Sequence, residues 1–124
     1  MVRRVYDAWN RGDWDAVFRD AHPDAELTTQ RGPDAGTKRQ RDEVQRFVDD
    51  YSSAFDNFAV EPEEFFPIGD QVVVVVTRRA RPKGGGVDMV VRNGHLWRFR
   101  DGRILSMTSF PDPEDALQAA GSGE

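Results

Sequence analysis

The feature that most constrains this chain is a change of hydrophobic period near its midpoint. Up to about residue 57 the apolar residues recur at helical spacing, and beyond it they follow the two-residue alternation of strands. Val2, Val5, Tyr6 and Trp9 fall at i, i+3, i+4 and i+7, which predicts an amphipathic helix ended by Asn10 and Gly12. Asp13 follows as an N-cap, with Asp15 beside the positive end of the helix dipole, and Trp14, Val17, Phe18 and Ala21 carry a second stripe. The Arg11-Gly12 corner therefore turns both tryptophans toward one interior. His22-Pro23 is expected to order the turn out of the second helix, residues 25–30 to form a short strand, and "RGPDAGTK" at 31–38 to form a surface loop. A third, longer helix carries Val44, Phe47, Val48, Tyr51, Ala54 and Phe55 on its apolar face.

The second half predicts strands over 58–67, 72–81, 87–100 and 103–110, separated by Gly69-Asp70, Lys83 to Gly86 and Asp101-Gly102. Short turns make neighbours antiparallel, so the plan is α+β, with helices first and a curved antiparallel meander second. A short C-terminal helix containing Ala116, Leu117 and Ala120 closes a single domain over residues 1–120, and 121–124 form a fraying tail.

At 124 residues there is room for one core. A net charge of -5, from 22 acidic and 17 basic residues, disfavours a nucleic-acid partner, because phosphate backbones are held by clustered cations. The absence of cysteine excludes disulfides, thiolate metal sites and a cysteine nucleophile. The longest apolar run, Val72 to Val76, is far short of the roughly 20 residues of a membrane-spanning helix, so a cytoplasmic protein without a membrane partner is expected.

Strand alternation puts Val91, Asn93, His95, Trp97 and Phe99 on one face. An imidazole there suits proton transfer, or equally a structural hydrogen bond to a neighbouring element. The two histidines stand far apart without clustered carboxylates, so no metal-ligand spacing is present. "KGGG" at 83–86 precedes no helix and reads as a hairpin rather than a phosphate cradle. No cofactor is expected.

The strings "VYDAWNRGDWDAV", "HPDAEL", "GDQVVVVV" and "GHLWRFRDGRILSM", in this order, resemble the SnoaL-like (polyketide cyclase-like) branch of the nuclear transport factor 2-like (NTF2-like) superfamily. The resemblance implies three N-terminal helices packed on a strongly curved sheet that forms a cone with a hydrophobic pocket, and a homodimer formed through the sheet. Relatives of this kind include cyclases, ketosteroid isomerases, epoxide hydrolases and domains without activity. Matched on the Asn-x-Gly-Asp corner, the isomerase tyrosine falls on Val5 and its base and second acid fall on Thr29 and His95, so that mechanism is not carried over. What remains is a pocket for a small hydrophobic or polycyclic molecule, walled by Trp9, Thr29, Tyr51, Phe55, Trp97 and Phe110. If it is catalytic, His95 transfers protons with Tyr6 and Asn93 as polar aids, in cofactor-free cyclase- or isomerase-like chemistry. The alternative is a non-catalytic ligand-binding or dimerisation module.

Overall fold

A computed structural model describes residues 2–29, 36–38, 41–52, 55–84 and 86–121. The helical stripe at the N-terminus becomes α1 (Val2–Arg11), which buries Val2, Val5, Tyr6 and Ala8. Gly12 takes a left-handed φ of 73° and returns its N–H to the Trp9 carbonyl at 3.0 Å, a conformation that suits glycine. Asp13 then caps α2 (Trp14–Arg19) by accepting from the Ala16 N–H at 3.2 Å. Trp9 and Trp14 meet across this corner edge to face, with centroids 5.6 Å apart.

Next come β1 (Ala21–Thr29), β2 (Gly36–Lys38), α3 (Arg41–Ser52), β3 (Phe55–Ile68), β4 (Gln71–Pro82), β5 (Met89–Arg100), β6 (Arg103–Phe110) and α4 (Pro113–Gly121). They form one six-stranded sheet in the order β2-β1-β6-β5-β4-β3. The meander β3 to β6 is antiparallel, as hairpin turns require. As the sequence pattern implied, two helices precede the first strand and the third, α3, comes after it. Two details differ from the sequence expectation. Part of the expected 31–38 loop is the edge strand β2, paired antiparallel with β1. β1 starts four residues earlier than expected and lies parallel to β6, a pairing between chain-distant segments that no local pattern signals.

Register shifts interrupt β1, β3 and the β5–β6 pair, and such irregularities bend strands, giving the sheet its curl. The side chain of Asn10 ties the end of α1 to the outer edge of β3. Its amide donates to the Val60 carbonyl at 2.8 Å and accepts from the Val60 N–H at 3.0 Å.

Central strand β4 is buried on both faces. Val74 and Val76 join Val5, Tyr6 and Trp97 beneath the N-terminal helices, while Val73 joins Leu96, Ala116 and Ala120 beneath α4. The helix lies directly on β5 at Gly94, where a Cβ would stand 2.8 Å from both Ala116 Cβ and Pro113 Cα. The second apolar face of β4 is therefore covered in part within one chain. No described helix is long and apolar enough to cross a membrane.

Candidate functional site

Between the N-terminal helices and the sheet lies a cavity of about 300 Å³. Val5 and Trp9 of α1, Val17 and Phe18 of α2, Val44 of α3, Trp97 of β5 and Ile104 and Met107 of β6 make its walls mostly apolar. Strand β1 supplies the rest of the described lining residues, including the two ionisable ones among them, His22 and Glu26. The register explains why so many β1 residues reach the cavity. From the Ala21–Ile104 pair to the Glu26–Ser106 pair, β1 advances five residues while β6 advances two, so the strand bulges and its strict alternation is lost.

Behind Trp97 lies a buried polar triad. Trp97 Nε1–H donates to the Tyr6 hydroxyl at 3.0 Å, and that hydroxyl stands 2.7 Å from His95 Nδ1. An indole nitrogen can only donate, so the Tyr6 oxygen accepts from Trp97. With the imidazole protonated at Nε2 the phenol O–H donates to Nδ1, and with it protonated at Nδ1 the phenol oxygen accepts from both rings. Burial pushes the His95 pKa down to about 3, assisted by the charge of Arg78. Burial raises the Tyr6 pKa well above the usual phenol range, against an opposing effect of the Trp97 hydrogen bond. Tyr6 stacks on His95 with an interplanar angle of 11° and meets Trp97 at 82°. Three rings from α1 and β5 thus lock one another, and the cavity wall inherits their rigidity.

The sequence matches the SnoaL-like domain family over residues 2–107. The chain belongs to that family. An NTF2-like protein from Burkholderia thailandensis is 30% identical over 95% of this chain and 92% of that one, with a TM-score of 0.80. TerC, co-crystallised with polyporic acid, is 23% identical over 97% of this chain and 95% of that one, also at 0.80. A protein of ketosteroid isomerase-like fold from Catenulispora acidiphila, in complex with trimethylamine, is 18% identical over 97% and 91% of the two chains, at 0.77. No curated protein matches the sequence.

In this SnoaL-like domain the residues singled out from sequence fall into four groups. Trp9 and Trp97 line the cavity. Tyr6 and His95 stand in the triad behind that wall, and Asn93 donates to the Pro111 carbonyl at 3.2 Å. Phe110 packs instead on the cluster beneath α4, because it pairs with Gly94 and paired residues share a face. The side chains of Thr29, Tyr51 and Phe55 lie outside the described residues, although the Thr29 backbone pairs with Ser109, which in turn opposes His95. Sequence reasoning missed His22 and Glu26 on the wall. His22, expected to order a turn, is already in β1. The motif "HPDAEL" contained both residues, but without the bulge their facing could not be read.

Proposed function

We propose that this SnoaL-like domain binds a compact, largely apolar small molecule in the cavity between its N-terminal helices and the sheet. The observation that carries the proposal is the cavity itself, about 300 Å³ and walled chiefly by aliphatic and aromatic side chains. This volume is at the lower end of the range typical of ligand sites, which favours one or two rings over a polycyclic ligand. TerC and the Catenulispora protein, each crystallised with a small molecule, lend the reading support from the same fold. Trp9 adds a polar detail: among the described residues its buried Nε1–H has no acceptor, so a ligand oxygen that reached it would find a donor.

His95, Tyr6 and Asn93 are assigned here to shaping the wall. With a pKa of about 3, His95 is a weak base at neutral pH, so a cyclase- or isomerase-like role for it would require ligand binding to change its surroundings. The homodimer through the sheet is part of the proposal, with the exposed Met89 and Val90 as contact residues; Val90→Lys should then shift the mass measured by light scattering from dimer to monomer.

The cavity is tested by titrating neutral one- and two-ring compounds while following tryptophan fluorescence, since Trp9 and Trp97 border it. Saturable binding that is lost in Ala25→Trp, which fills the space, is expected. No saturable binding by any compound, or binding unchanged in the filled variant, refutes the proposal.

A further inference from the structure

We infer that the side chain of Asn10 closes the outer edge of β3 to a second copy of this chain, by occupying the backbone groups with which another strand would pair. β3 is an outer strand of the described sheet, and an edge of this kind is a template for pairing between molecules. Along an antiparallel strand the backbone groups point alternately toward the neighbouring strand and away from it. The two bonds between the Asn10 amide and Val60 identify Val60 as a position that points away. Phe58 and Pro62 share its register with β4, so their backbone groups point away as well. Beyond the register shift between Pro62 and Glu64, the two-residue turn makes Ile68 and Gln71 a bonded pair, and Phe65 and Pro67 are the outward positions there.

These outward positions differ in what they offer. Pro62 and Pro67 have no N–H, so a ladder cannot run through them. α1 passes beside Phe65, where the Arg3 guanidinium lies 4.6 Å from the ring centroid. Val60 has both an N–H and a C=O, and the Asn10 side chain takes both, at 3.0 and 2.8 Å. A primary amide presents a donor and an acceptor side by side, and so imitates the residue of a pairing strand. Asn10 lies in the last turn of α1, which holds this amide against the edge. Without it a second copy fits by symmetry. Two β3 strands related by a two-fold axis place Val60 and Phe58 of one opposite Phe58 and Val60 of the other, clear of the prolines, and each pair exchanges both of its bonds. Such a contact uses both edges and closes at a dimer.

The experiment follows wild type, Asn10→Ala and Gly94→Ala by light scattering and by amide hydrogen exchange, over concentrations from micromolar to near-millimolar. Gly94→Ala is the control for a weakened fold, because it strains the contact of β5 with α4 and β4 separates it from β3. In dilute Asn10→Ala the Val60 amide should exchange at least about tenfold faster than in wild type. Raising the concentration should slow that amide again by about tenfold, while the mass rises to about twice that of wild type at the same concentration. Gly94→Ala should keep the wild-type mass throughout. Mass is compared with wild type, so a dimer through the face of the sheet cancels. An Asn10→Ala mass that never exceeds wild type overturns the inference. Association without renewed protection at Val60, or equal association by Gly94→Ala, overturns it as well. If Asn10→Ala does not fold, Asn10→Ser serves instead, since its one hydroxyl cannot span both Val60 groups; the same rise in mass is expected, and its absence overturns the inference.

Discussion

Tyr6→Phe isolates the buried triad, because it deletes one oxygen and almost no volume. The lost hydroxyl is acceptor for Trp97 Nε1–H at 3.0 Å and hydrogen-bond partner of His95 Nδ1 at 2.7 Å. All three residues are buried, with Tyr6, Trp97 and His95 exposed by only 2%, 3% and 6%, so water does not readily replace either bond. Each stranded buried group costs about 1–3 kcal/mol, which gives roughly 2–6 kcal/mol for the pair. At about 3–5 °C per kcal/mol for a chain of this size, the melting temperature should fall by about 6–30 °C. Urea unfolding should report the same loss as a lower midpoint at unchanged slope. The cycle with His95→Leu assigns it. If the phenol serves the imidazole, the double variant should be more stable than the sum of the single effects predicts, by about 1–2 kcal/mol. A loss under about 0.5 kcal/mol for Tyr6→Phe, or full additivity in the cycle, would refute the account of the triad.

Further outcomes follow from the same geometry. His95 has its folded pKa lowered to about 3, so below the usual imidazole value the unfolded state takes up a proton that the folded state refuses. Its contribution is complete above about pH 6.5 and declines as the pH falls toward 3, with a slope of up to about 1.4 kcal/mol per pH unit. Chemical denaturation between about pH 6.5 and 4.5 should show this slope, and His95→Leu should remove it. Gly94→Ala places a methyl 2.8 Å from the Pro113 backbone, which cannot yield as a flexible side chain would. It should cost about 1–3 kcal/mol and loosen α4, seen as faster proteolysis after β6. Asn10→Leu leaves both Val60 backbone groups without their side-chain partner, and should cost about 1–3 kcal/mol and speed amide exchange at Val60.

The parts of this protein that sequence reasoning reached are those governed by neighbours along the chain. The spacing of Val2, Val5 and Tyr6, the capping side chain of Asp13 and the left-handed Gly12 act over a few residues, and each predicted element is present close to its expected place. The alternation of β5 likewise brought His95 and Trp97 to one face. The parallel union of β1 with β6 joins segments some 80 residues apart, and the bulge within it depends on which residues of the two strands find partners. Those two features, which local pattern cannot encode, turn His22 and Glu26 onto the cavity wall. The state of His95 is also a tertiary outcome. Its low pKa comes from burial against Tyr6 and from the nearby charge of Arg78, whereas the sequence offered only an imidazole of ordinary acidity. Periodicity thus determined which elements form and which stripe each one buries, because those preferences are short-ranged. The position of charge and hydrogen-bonding groups around the cavity was decided by the packed structure, because solvent exclusion and long-range pairing exist only once the chain has folded.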